Sequence, residues 1–128
     1  MGKRILVIED TEDNRQIIRD LLTSFDYELL EAVDGAEGVA MAQTHHPDLI
    51  LMDIQLPVLD GYEATRRIRE LGTGTRNPHS PIIAITADAM NGDRDKCLEA
   101  GMSDYLAKPF EPRQLAGVLE KWLITTAR

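Results

Sequence analysis

The chain has 128 residues, 43% hydrophobic and 28% charged, which is ordinary for one globular domain. At this length folding buries roughly two-thirds of the unfolded surface, enough for a core without disulfides or a structural metal. A net charge of −8 argues against nucleic acid as a direct ligand, since duplex binding draws on a basic face, although Arg66, Arg67 and Arg69 make a small local basic patch.

Cys97 is the only cysteine, so no intramolecular disulfide is possible. The apolar run Ile5 to Ile8 behind Lys3-Arg4 stops at Glu9-Asp10, too short for a signal-peptide core. No apolar stretch approaches membrane-spanning length, and Leu6 stands where myristoylation of Gly2 would want Ser or Thr. The expected location is the cytoplasm.

In chain order, the first strand is expected over Ile5-Leu6-Val7-Ile8. A helix follows, with Ile17, Ile18, Leu21, Leu22 and Phe25 as its apolar face. Tyr27-Glu28-Leu29-Leu30 alternates and suits an edge strand. Asp34 and Glu37 form a capping box opening an alanine-rich helix that ends before Pro47. Leu49 to Met52 and Ile82 to Ile85 are continuously apolar, like the first strand, as befits central strands of a parallel sheet covered on both faces.

Asp60 and Glu63 repeat the capping signal before Ala64, Ile68 and Leu71, and Gly72 to Pro81 is a polar surface loop. A more polar fourth helix is expected from about Asn91 to Ala100, stopped by Gly101. Asp104-Tyr105-Leu106-Ala107 is a short fifth strand. Pro112 opens the last helix, whose face is Leu115, Val118, Leu119, Trp122 and Leu123. Strands alternating with helices imply a parallel sheet with right-handed crossovers.

In such a sheet, ligands bind beyond the carboxyl ends of the strands. The first strand ends in Glu9-Asp10, the third in Asp53, the fourth in Thr86 and the fifth in Lys108-Pro109. Clustered carboxylates raise one another's pKa unless a cation neutralises them, and a hard divalent ion such as Mg²⁺ fits oxygen ligands. One carboxylate can then act as a nucleophile and form an acyl phosphate. A lysine and a hydroxyl can bind the phosphoryl oxygens. Capping of the following helix explains a single acid such as Asp10 equally well, but it does not explain five such residues on one edge.

Leu6-Val7-Ile8-Glu9-Asp10, Leu51-Met52-Asp53-Ile54-Gln55-Leu56-Pro57 with Asp60-Gly61, Ile85-Thr86-Ala87 and Lys108-Pro109-Phe110 together closely resemble the receiver domain of two-component response regulators. The resemblance covers about Lys3 to Leu123. It implies a single receiver domain over residues 1–128: a doubly wound, five-stranded parallel sheet of flavodoxin-like order 2-1-3-4-5, with helices on both faces. It implies Asp53 as phosphoacceptor, supplied by a phosphohistidine on a histidine kinase or histidine phosphotransfer protein. It also implies Mg²⁺ held by Asp10, Asp53 and the backbone carbonyl of Gln55, with Glu9 acting largely through a water; many relatives carry Asp at the position of Glu9.

Thr86 and Lys108 match the two phosphoryl-sensing positions, and Tyr105 matches the aromatic that swings inward when the threonine moves. The peptide before Pro109 is expected to be cis. Gln55 and Asp88 match positions that tune hydrolysis of the phosphoryl group. The output surface is expected on the fourth helix, fifth strand and fifth helix, around Ala89, Met90 and Tyr105. A coupling of about 1–3 kcal/mol would be typical. Only five residues follow Leu123. The family relatives most similar to Gly61-Tyr62-Glu63-Ala64-Thr65 and Lys96-Cys97-Leu98-Glu99-Ala100-Gly101-Met102 are receivers of hybrid kinases and some stand-alone regulators, and Met1 favours a stand-alone protein.

Two rival readings fit these residues less well. A Mg²⁺-dependent phosphohydrolase forming an aspartyl phosphate wants a second acid two residues after the nucleophile, where this chain has Gln55. A flavodoxin-like binding module wants a hydroxyl- and glycine-rich loop after the first strand, where this chain has Glu9-Asp10-Thr11-Glu12-Asp13. His45-His46 is expected to be a solvated helix end, Cys97 a packing residue, and Trp122 core or interface edge. His79 has no readable role.

Overall fold

The computed structural model describes residues 3–25, 27–56, 59–70, 81–86, 93–108 and 110–126. The apolar runs become β1 (Arg4–Ile8), β3 (Leu49–Asp53) and β4 (Ile82–Thr86), flanked by β2 (Glu28–Ala32) and β5 (Asp104–Ala107). The sheet order is β2-β1-β3-β4-β5, with every pair parallel. Between the strands run α1 (Glu12–Ser24), α2 (Gly35–His45), α3 (Gly61–Glu70) and α4 (Asp93–Ala100), and α5 (Pro112–Thr126) follows β5.

Because successive strand residues point to opposite faces, each central strand feeds two cores. Leu6, Ile8, Ile50, Met52, Ile82 and Ala84 meet Ala42 of α2, Ala64 and Ile68 of α3 and Cys97 of α4. Ile5, Val7, Leu49, Leu51, Ile83 and Ile85 meet Ile18 and Leu22 of α1 and Leu115, Leu119 and Leu123 of α5. Each full burial of such an aliphatic side chain contributes about 1.5–3 kcal/mol, so both faces must stay covered.

The local signals act through identifiable bonds. The Glu37 N–H donates to Asp34 Oδ1 at 2.8 Å, while Glu37 Oε1 accepts from the Val33 N–H, one residue before the cap. The Glu63 N–H donates to Asp60 Oδ1 at 2.9 Å. Gly101, at φ 105°, ends α4 where a side chain would be strained. The expected start of that helix at Asn91 lies outside the described residues.

Three differences from the sequence reading have physical reasons. β2 is shifted toward its C-terminus, because the Tyr27 N–H is taken by the Leu22 carbonyl and pairing with β1 begins at Glu28. Ile17 is 55% exposed, since Ile18 and Leu22 already fill the line of α1 facing the sheet. The basic group is divided: Arg66 and Arg67 pair with Glu63, whereas Arg69 turns inward and donates from Nε to the Gly101 carbonyl at 2.9 Å.

Candidate functional site

β1 and β3 lie side by side at the centre of the sheet, so their carboxyl ends bring Glu9, Asp10 and Asp53 together. One oxygen from each of the three carboxylates lies within 4.8 Å of the others. Glu9 is fully buried, Asp53 is buried, and Asp10 faces solvent. Thr86 is buried at the end of β4.

The β4–β5 pairing continues into the site, where the Lys108 N–H donates to the Thr86 carbonyl at 2.8 Å. That bond fixes the base of the Lys108 side chain, whose Nζ reaches Glu9 Oε1 at 3.2 Å and Asp53 Oδ2 at 3.6 Å. Backbone donors complete the cluster: Thr11 N–H to Glu9 Oε2 at 3.1 Å and Gln55 N–H to Asp53 Oδ1 at 3.2 Å. Tyr105 is half-buried on β5 and packs against the core on the α2–α3 side. Pro109, Asp88, Ala89 and Met90 lie outside the described residues.

The two buried acids respond in opposite directions. Burial works to raise the pKa of Glu9, but the Thr11 amide and Lys108 more than offset it, and Glu9 ends below the usual carboxylate range. Asp53 is pushed up to about 6, first by burial and then by the charge of Glu9, against the weaker pull of Lys108 and the Gln55 amide. Glu9 therefore holds its charge to lower pH than Asp53 does. Three acids against one ammonium leave the described cluster short of positive charge. An all-oxygen donor set of this kind suits a hard divalent cation.

Beside the acids lies a cavity of about 390 Å³, with Ile17, Ile18, Ile85 and Phe110 among its lining and Glu9 and Lys108 on its polar side. The exposed Ile17 therefore borders the site. Sequence reasoning missed Arg15, whose Nη1 donates to the Glu9 carbonyl at 2.7 Å. Its only signal was the Glu12–Arg15 spacing, which on a helix reads as a surface ion pair. His45 is exposed, Cys97 is buried in the core, and Trp122 packs at a core edge, as expected. His46, expected to be solvated with His45, is instead half-buried, and its Nδ1 is buried with no hydrogen-bond partner among the described residues.

A parallel sheet of order 2-1-3-4-5 is the doubly wound class shared by flavodoxin and CheY, and the acids ending β1 and β3 belong to its CheY-like branch rather than to a flavin phosphate loop. The chain belongs to the response regulator receiver domain family, whose model matches residues 5–120. It is a receiver domain of two-component signalling, and neither rival reading is favoured. The polar-differentiation response regulator DivK of Brucella ovis is 37% identical over 123 residues, covering 96% of this chain and 98% of that protein.

Among solved structures, the receiver domain of sensor histidine kinase PA1611 from Pseudomonas aeruginosa PAO1 superposes with a TM-score of 0.86 at 46% identity, covering 96% of this chain and 98% of that one. That receiver has a magnesium ion coordinated in its active-site cleft. The co-crystal structure of the Saccharomyces cerevisiae phosphotransfer protein Ypd1 with the receiver domain of Ssk1 contains a chain matching with a TM-score of 0.92 at 30% identity, covering 99% of this chain and 92% of that one. Among the described residues no helix is long and apolar enough to cross a membrane.

Proposed function

We propose that the chain works as one receiver unit over residues 1–128 and takes a phosphoryl group on Asp53 from a phosphohistidine of a histidine kinase or histidine phosphotransfer protein. The observation that carries this reading is the burial of Asp53 between Glu9 and Lys108, with Lys108 Nζ 3.6 Å from Asp53 Oδ2. Glu9, Asp10, Asp53 and the backbone carbonyl of Gln55 are the groups that would hold Mg²⁺, and the magnesium of the PA1611 receiver supports this choice. When bound, Mg²⁺ supplies positive charge against the acids and the phosphoryl oxygens.

The chain's own residues do the rest. An Asp53 carboxylate oxygen forms the bond to phosphorus while the phosphorus–nitrogen bond breaks and its electron pair returns to the imidazole. Lys108 exchanges its contact with Asp53 for a phosphoryl oxygen, and the Thr86 hydroxyl turns toward another. The added charge of roughly −1.5 to −2 draws both groups in, and Tyr105 follows. The face formed by α4, β5 and α5 then presents its active arrangement to a downstream protein. No separate substrate is turned over, no nucleic acid or membrane is engaged directly, and the setting is the cytoplasm. The Ypd1–Ssk1 complex supports a phosphotransfer protein as the phosphodonor.

The test is intact mass after incubation with acetyl phosphate, with and without Mg²⁺, on wild type and Asp53→Asn. One Mg²⁺-dependent phosphoryl adduct, absent from the variant, is expected. An adduct that persists in Asp53→Asn would place the acceptor elsewhere.

A further inference from the structure

Arg15 reaches back from the first turn of α1 to the end of β1. Its Nη1 donates to the Glu9 carbonyl at 2.7 Å, its Nη2 pairs with Glu12, and its Nε stands 3.4 Å from Glu31 Oε1 on β2. The side chain is only 11% exposed. Arg19 braces the same two acids: its Nε and Nη2 take both oxygens of Glu31 at 2.9 and 2.7 Å, and its Nη2 reaches Glu12 Oε1 at 3.1 Å. Fixed by three partners on two elements, the Arg15 guanidinium has little freedom to leave the Glu9 carbonyl.

The segment it holds, Glu9-Asp10-Thr11, carries two of the three clustered carboxylates. That segment is tied a second time by backbone, since the Arg15 N–H donates to the Thr11 carbonyl at 3.0 Å. It is tied a third time by the Thr11 N–H on Glu9 Oε2. Like charges packed this closely push the segment apart, so something must hold it.

We infer that Arg15 is a positioning residue for the cation site, acting through the Glu9 carbonyl to keep the Glu9 and Asp10 carboxylates converged on Asp53. The inference rests on the reading that this site holds a divalent cation. It separates cleanly from a charge effect, because the Arg15 charge by itself opposes an incoming cation. Loss of that charge alone would tighten binding, whereas loss of positioning weakens it. Lysine keeps the charge and much of the stem, but its single nitrogen lacks the planar fork with which Nη1, Nη2 and Nε each meet a different partner.

The experiment is Mn²⁺ titration, with free ion counted by its solution electron paramagnetic resonance signal, on wild type, Arg15→Lys, Arg15→Met and Asp53→Asn. Melting curves first set a temperature at which all four are folded. Both Arg15 variants are expected to bind Mn²⁺ roughly tenfold more weakly than wild type. Wild-type affinity in Arg15→Lys, with tighter binding in Arg15→Met, would overturn the inference in favour of charge alone. Failure of the underlying reading looks different: Asp53→Asn would bind as tightly as wild type, and the inference would fall with it. A metal-free measurement stands beside these. Amide exchange at Thr11, whose N–H is held by Glu9 Oε2, is expected to quicken in Arg15→Lys while α5 stays protected, and unchanged exchange there would sink the positioning role.

Discussion

Lys108 donates from Nζ to Glu9 Oε1 at 3.2 Å, joining residues 99 positions apart across the carboxyl ends of β1 and β5. The Glu9 side chain is almost fully buried there, so its charge is held in place by this ammonium and the Thr11 amide. Breaking a buried pair from one side leaves the other charge uncompensated, at a cost of about 3–5 kcal/mol when burial is complete. Lys108 is itself 25% exposed, so Lys108→Met is expected to lose less, about 2 kcal/mol, in urea unfolding without metal. Added Mg²⁺ should return part of the loss. Equal midpoints for wild type and variant would show that the pair contributes nothing to stability.

The raised pKa of Asp53 sets a second expectation. Its folded value of about 6 lies above the usual carboxylate range, so ionising it in the folded, metal-free protein costs stability. That stability is fully present below about pH 4, the unfolded value, and is lost as pH rises through about 6. Asp53→Asn removes the charge. The metal-free variant should therefore be more stable than wild type at pH 7 by about 1–3 kcal/mol, with the gap closing at pH 4. Unfolding midpoints at the two pH values check the sign, and a less stable variant at pH 7 would contradict it.

The central strands were legible because Ile5–Ile8, Leu49–Met52 and Ile82–Ile85 are apolar on both faces, a pattern that few other structures explain. The acids were legible because they stand immediately after the first and third of those runs, and Lys108 because it follows the short fifth strand. Strand order came from the family resemblance, since periodicity carries no information on which strands are neighbours. Long side chains were the least legible. Arg69 looks like surface charge beside Arg66 and Arg67, yet its partner is a carbonyl 32 residues away. Arg15 likewise looks like a helix-surface partner of Glu12, and only the folded β1–α1 turn brings the Glu9 carbonyl within its reach. The exposure of Ile17 depended on which neighbours filled the sheet-facing line first.

Two glycines should respond in opposite directions to alanine. At Gly61 a Cβ would collide with the Asp53 carbonyl oxygen and stand 2.8 Å from Ile54 Cα, and neither backbone group can step aside without moving the site. Gly61→Ala is expected to destabilise by about 1–3 kcal/mol and to weaken divalent cation binding. At Gly117, exposed within α5, a Cβ meets nothing within 4 Å. Gly117→Ala is expected to stabilise by about 0.5–1 kcal/mol, through the helix propensity of alanine. Paired denaturant curves test both, and a neutral Gly61→Ala would mean that the turn after β3 is far more pliable than its contacts imply.

Asp104 and Trp122 supply the last prediction. The indole Nε1 donates to Asp104 Oδ2 at 2.9 Å, the Tyr105 N–H donates to Oδ1 at 2.8 Å, and Lys121 Nζ stands 3.4 Å away. Burial alone would raise the Asp104 pKa, but these three donors together take it below the usual carboxylate range. A depressed folded pKa means that the stability is present above the unfolded value of about 4 and is lost as pH falls through the lower folded value. Asp104→Asn should cost about 1–2 kcal/mol at pH 7, and the difference should vanish once wild-type Asp104 is protonated in acid. Trp122 is the only tryptophan, so its emission reports on this contact directly. Wild-type emission should change in acid with a midpoint below pH 4, ahead of any loss of far-ultraviolet circular dichroism, and Asp104→Asn should lack that step. An acid step that persists in the variant would assign it to another carboxylate and remove Asp104 as the tie between β5 and α5.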